Sequence, residues 1–168
     1  MVAIIIYCKG ADEHAIKAIK GTLRENGKLI LSISNNDLIA MLNKKIKGES
    51  PTDYLEDILK ILDKYDVKAT FFIIGKWITY NENNTKNFIA IKNAGHEIGN
   101  HSYIHPNFVN ITEERMNDEL QKTEDIIYET IGCNTKLFRF PSGSYNEKAL
   151  NYVMSKGYKC INWDVDSV

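Results

Sequence analysis

The chain of 168 residues is 43% hydrophobic and 26% charged, with a formal net charge of -1. That length and balance suit one soluble domain with a substantial core. They exclude a global field that would draw the chain onto nucleic acid or an anionic membrane.

Residues 2–7 are an unbroken apolar, largely β-branched run, the pattern of a strand buried on both faces. The run is too short for a membrane span and lacks the basic lead of a signal peptide, so the chain as written is expected to stay cytoplasmic. Residues 14–26 place Ala15, Ile16, Ala18, Ile19 and Leu23 at helical spacing, with Gly27 as the expected stop. Residues 28–34 read as a second strand and residues 36–47 as a second helix, whose Lys44-Lys45-Ile46-Lys47 run is a solvated helix end. Gly48-Glu49-Ser50-Pro51 punctuates the chain, and Thr52 or Asp53 is the expected cap of a third helix carrying Tyr54, Leu55, Ile58, Leu59 and Leu62 on one face.

The remainder alternates strand and helix: strand 69–74, helix 84–93, strand end 96–101, a long amphipathic helix 115–131 behind Thr112, strand 137–139, helix 147–156 and a last strand 159–164. Alternation of this kind predicts an α/β fold of parallel βαβ units, with helices outside the sheet. It does not separate an open sheet from a partly closed barrel. Cys8, Cys133 and Cys160 are too sparse for a disulfide framework or a metal knuckle and read as small, partly buried apolar residues.

Three segments fall where successive strands end, the edge at which such folds gather functional side chains. In the first, Gly99-Asn100-His101-Ser102-Tyr103-Ile104-His105-Pro106, two imidazoles stand four residues apart. Pro106 disfavours a helical conformation at His105, which predicts a tight turn. Neutral imidazoles suit zinc and similar cations, yet the bare spacing fits a structural role as well. In the second, Arg139-Phe140-Pro141-Ser142-Gly143-Ser144-Tyr145-Asn146, a strand-end arginine needs a carboxylate or a substrate oxygen beside it. The turn shaped by Pro141 and Gly143 can present backbone N–H groups to an oxyanion; equally, it is a plain strand-to-helix turn capped by Asn146 or Ser144. In the third, Asn162-Trp163-Asp164-Val165-Asp166-Ser167, Asp164 and Asp166 share one face of a strand and could partner Arg139. A frayed terminus is the alternative.

Taken together with residues 54–62 and 67–75, these segments resemble the polysaccharide deacetylase family (the chitooligosaccharide and peptidoglycan deacetylase domain). The resemblance covers about residues 54–168 and implies a partial or deformed (β/α) barrel that removes N-acetyl groups from an N-acetylated glycan. It assigns His101 and His105 to the family's two metal-binding histidines, with zinc as the expected cofactor, weakly held. Arg139 matches the arginine that orients a catalytic carboxylate. With Asp164 and Asp166 it forms the expected catalytic set, and Pro141, Gly143, Tyr145 and Trp163 fall on the substrate side. The family's aspartate pair should precede the helix at residues 54–64, where this chain has Gly48-Glu49-Ser50-Pro51-Thr52-Asp53. The family's late histidine is expected beyond Val168.

Residues 1–53 do not look like this family. Residues 28–42 distantly resemble the closing strand and helix of restriction-endonuclease-like domains, without that group's acidic motif. The expectation is a foreign βαβα segment packed on the same core, with strand 2–7 inside the sheet and Asp12 as the carboxylate best placed to face the histidines. Two functions follow: an impaired metal-dependent carbohydrate N-deacetylase, or a catalytically silent chimeric or scaffold α/β protein.

Overall fold

The structure, a computed structural model, describes residues 3–7, 22–25, 28–31, 51–64 and 68–162. Its strands are β1 (Ala3–Tyr7), β2 (Thr22–Glu25), β3 (Lys28–Leu31), β4 (Lys68–Ile73), β5 (Glu97–Asn100), β6 (Leu137–Phe138) and β7 (Lys159–Cys160). The helices are α1 (Pro51–Lys64), α2 (Gly75–Ile78), α3 (Glu82–Asn93), α4 (Glu113–Ile131) and α5 (Glu147–Ser155), with short 3-10 turns at Phe108–Asn110 and Pro141–Gly143.

The described strands form one sheet in the order β2-β3-β1-β4-β5-β6-β7. From β4 to β7 every pairing is parallel, as the alternating pattern predicts. The sheet stays open among these residues.

The first strands differ from expectation. Thr22–Glu25, read from its apolar spacing as the end of a helix, is a strand paired antiparallel with Lys28–Leu31 in a register that sets Glu25 opposite Lys28. The overlooked signal is Asn26-Gly27, the dipeptide most favourable to a two-residue hairpin connection, flanked by two short runs able to pair. β1 pairs antiparallel with both β3 and β4, so the parallel arrangement begins only at β4. The helix expected over 36–47 lies outside the described residues, as does Asp12.

Several expected caps and ends are sharpened. Helix α1 begins at Pro51, which leaves Thr52 and Asp53 inside its first turn instead of capping it; proline is favoured there because its missing N–H has no intrahelical partner anyway. The side chains of Asn81, Thr112 and Asn146 accept hydrogen bonds from the backbone N–H three residues on and start α3, α4 and α5. Helix α4 ends at Gly132, whose φ of 68° is the left-handed conformation that glycine adopts without strain.

Strand parity divides the parallel sheet into two faces. Ala69, Phe71 and Ile73 of β4 and Ile98 of β5 pack with Leu55, Leu62, Ile78, Phe88, Ile91 and Ile127 from the helices. A second cluster joins Phe138 of β6 and Phe140 to Phe108, Met116, Leu120, Ala149 and Val153. Full burial of each such large side chain contributes about 1.5–3 kcal/mol, so these clusters anchor the helices to one face. The alternate residues Thr70, Phe72, Gly99, His101 and Arg139 belong by parity to the other face. Cys133 and Cys160 are half-buried free thiols.

Candidate functional site

At the carboxyl end of β4, β5 and β6 the chain brings together Phe72, His101, His105 and Arg139. Phe72 and Gly99 are register partners, and a Cβ on Gly99 would sit 2.5 Å from the Phe72 ring. The bare glycine therefore lets that ring approach β5 closely. Over the same ring, 5.9 Å from its centroid, stands the guanidinium carbon of Arg139. Arg139 is buried, and burial pulls its pKa down from 12.5 to about 10, which still leaves it cationic at neutral pH.

His101 follows β5 directly and is 3% exposed. Its Nδ1 lies 2.8 Å from the main-chain carbonyl oxygen of Arg139. A carbonyl only accepts, so Nδ1 carries the proton and Nε2 keeps its lone pair, the tautomer that a ligating imidazole requires. Burial pushes the ring's pKa from 6.5 to about 4, outweighing the carbonyl, which acts in the opposite direction. The imidazole is therefore neutral through the physiological range. Burial also lowers the pKa of His105. The two rings meet edge to face, 4.9 Å between centroids and 75° between planes.

The turn that joins them is tight, as Pro106 predicts, and is not helical. Ser102 and His105 both have positive φ, 67° and 64°. Non-glycine residues held there cost on the order of 1–3 kcal/mol each and persist only where surrounding bonds fix them. Those bonds are present. His101 N–H donates to Ile73 O, Ser102 N–H to Asn100 Oδ1 and His105 N–H to Ser102 Oγ. Tyr103 and Ile104 N–H both donate to Glu119 Oε2. Asn100 is fully buried and reaches the other way, donating from Nδ2 to Leu120 O and to Tyr158 Oη, whose hydroxyl in turn donates to Glu124.

The second expected segment follows Arg139. Pro141 is buried, Gly143 is half-buried and Tyr145 is 47% exposed, its ring stacked 5.2 Å from that of Phe140. Gly143 N–H donates to Phe140 O and Ser144 N–H to Pro141 O, so these two donors close the turn itself. Ser142 takes a left-handed φ of 56° at its apex. Trp163, Asp164 and Asp166 lie outside the described residues, and so does their expected pairing with Arg139. Among the described residues no third His, Cys, Asp or Glu joins the histidine pair in a group able to hold a metal. His96 has a structural role: its Nδ1 accepts from Ala69 N–H. Sequence reasoning missed Glu119 and Asn100, which support the turn; a glutamate and an asparagine at those positions look like an ordinary helix face and strand end.

Fold and site thus define an α/β protein with a neutral histidine pair and a buried arginine at the carboxyl edge of its parallel strands. The sequence pattern of the family described as "Polysaccharide deacetylase" matches residues 48–161. The chain belongs to that family. YlxY of Bacillus subtilis is 41% identical over 116 residues, covering 69% of this chain and 35% of that protein. A Bacillus cereus peptidoglycan-N-acetylglucosamine deacetylase is 37% identical over 118 residues, 68% of this chain and 42% of that enzyme. Among solved structures, a CE4 family pseudoenzyme from Bacillus anthracis superposes with a TM-score of 0.62 at 37% identity, covering 67% of this chain and 39% of that one. The chitin deacetylase of Colletotrichum lindemuthianum gives 0.61 at 26% identity, covering 65% and 49%. The chain thus spans well under half the length of the curated relatives named here.

Proposed function

We propose that the chain is a peptidoglycan- or chitin-type N-deacetylase core of reduced activity, in which His101 and His105 hold a divalent cation, zinc above all. The observation that carries this is the neutral, edge-to-face histidine pair with His101 oriented through Nδ1 by the Arg139 carbonyl. This donor set fits two ligand positions of such an ion. When bound, the ion supplies Lewis acidity to an amide carbonyl and lowers the pKa of water.

The chain's own residues do the rest. Burial disfavours the charged form of both imidazoles, which keeps a ring-nitrogen lone pair available on each. Arg139, cationic beside the pair, holds a carboxylate in place, with Asp164 and Asp166 as its candidates. Pro141 and Gly143 shape the substrate-facing turn, while Tyr145 and Trp163 offer aromatic surface to a pyranose. Gly48-Glu49-Ser50-Pro51-Thr52-Asp53, which runs into the first turn of α1, carries no aspartate pair, which lowers the expected rate: loss of a general base typically costs about 10²–10⁴-fold.

Acetate release from N-acetylated chitooligosaccharides and from peptidoglycan, with added zinc or cobalt, tests this reading. Metal-dependent release that disappears in His101→Ala supports it. A second reading is a catalytically silent member, favoured by the likeness to a solved structure described as a pseudoenzyme. Retained metal binding with no acetate from either glycan selects that reading.

A further inference from the structure

The turn between the two histidines depends on one carboxylate from a different element. Glu119 sits in the middle of α4 and is 1% exposed. Its Oε2 accepts from Tyr103 N–H at 2.8 Å and from Ile104 N–H at 2.9 Å, the two residues that follow the positive-φ Ser102 and precede the positive-φ His105. Its Oε1 lies 2.6 Å from the guanidinium of Arg115, one helical turn earlier. From a second element, Gly75 and Lys76 N–H donate to the carbonyls of Ser102 and Tyr103. The segment is thus held by hydrogen bonds from two separate helices.

A buried carboxylate is costly without full compensation, and two amides plus a guanidinium supply it. What the arrangement provides is geometry. Without an acceptor at Oε2, two partly buried N–H groups would lose their partner and the turn would relax away from two unfavourable φ angles. His105 would then swing relative to His101, which is fixed separately by Ile73 and the Arg139 carbonyl. We infer that Glu119 is a positioning residue for the histidine pair: through the Tyr103 and Ile104 amides it sets the placement of His105 against His101. The inference rests on reading the two histidines as a functional pair.

The test uses the full chain without metal first. Ring-to-ring cross-relaxation between His101 and His105, and hydrogen exchange at the Tyr103 and Ile104 amides, are followed by NMR; zinc affinity is then measured by calorimetry. Glu119→Ala is expected to abolish the ring contact, expose both amides and weaken zinc about 10–100-fold, the usual effect of losing a group that orients a metal ligand. Glu119→Gln keeps a carbonyl acceptor and is expected to retain the ring contact. Ile127→Ala, a core truncation in the same helix, controls for general destabilisation and is expected to leave the rings in contact. Should Glu119→Ala fail to fold, Arg115→Leu carries the test, with faster exchange at Tyr103 and Ile104 and a weakened ring contact expected. An unchanged ring contact in Glu119→Ala, or in Arg115→Leu when that variant replaces it, overturns the inference. So does an equal loss in Ile127→Ala. If the wild-type chain binds no zinc but Glu119→Ala still separates the rings, the positioning role stands and the metal reading falls.

Discussion

The Nδ1 of His101 is held by the main-chain carbonyl of Arg139, while the Arg139 side chain stands over the ring of Phe72. One residue thus serves the site twice, through backbone and through guanidinium, and the two services separate cleanly by mutation. Arg139→Met keeps the carbonyl. It is expected to leave zinc affinity near the wild-type value while removing any acetate-releasing activity that depends on the cation. The double variant His101→Ala/His105→Ala is expected to abolish zinc binding. Each single variant should lose about tenfold or more, since even partners that merely orient a ligand are worth about 10–100-fold. Calorimetric titration of the four proteins checks the pattern, and unchanged binding in the double variant would refute the assignment.

Gly99 gives a second prediction, on stability. A Cβ there would lie 2.5 Å from two atoms of the Phe72 ring, a ring that is itself fully buried. Gly99→Ala therefore forces the ring or the strand to move, and overpacking of this kind costs typically about 1–3 kcal/mol. Because Arg139 rests over the same ring, the guanidinium should shift as well. Urea denaturation reads the stability loss; a variant as stable as wild type would show that the Phe72 ring does not occupy this position.

The parts of this fold that were legible in the sequence are those where local signal and tertiary demand agree. The run 69–74 reads as a strand and Lys68–Ile73 is one, and of the two caps offered by the turn after Arg139, Asn146 starts α5. The histidine turn was legible because Pro106 rules out the helical alternative and the motif follows a strand. Thr22–Glu25 misled because five residues at helical spacing cannot outweigh a hairpin dipeptide, and Gly27 fits a helix stop as readily as a turn. Glu119 was illegible for a different reason: it belongs to the site only because α4 crosses behind the turn, and no spacing along the chain records that crossing.

Acid sensitivity follows from His96. Ala69 N–H donates to its Nδ1, so the neutral ring carries its proton on Nε2. A second proton on Nδ1 would set one donor against another. Burial, with Lys68 acting in the same direction, lowers the pKa of His96 from 6.5. The sign is that of a depressed histidine: the unfolded chain takes up the proton first. The contribution to stability is therefore complete above the ordinary pKa of about 6.5 and is lost as pH falls from there through the lowered folded value. NMR titration of the His96 ring, with unfolding free energy measured from pH 7.5 to 5, checks this; a ring titrating at or above 6.5 in the folded protein contradicts it.

The last prediction concerns how far the N-terminal strands share the fate of the sheet. β1 lies between β3 and β4, and Ile6 is in register with Leu29 on one side and Ala69 on the other. Whichever neighbour its N–H faces, a proline at this position removes a donor from an interior ladder, where proline is not tolerated. The acceptor left behind costs about 1–3 kcal/mol if it stays dry. If residues 1–53 pack on the same core, the loss must spread. Ile6→Pro should then lower the protection of Ile98 and Gly99 amides in β5, a strand beyond β4, in step with β1 itself. If the segment is an independent unit, those amides keep their wild-type exchange rates while only the first strands open. Native-state hydrogen exchange on the full chain distinguishes the two, and wild-type rates at Ile98 and Gly99 in the proline variant would rule out the shared core.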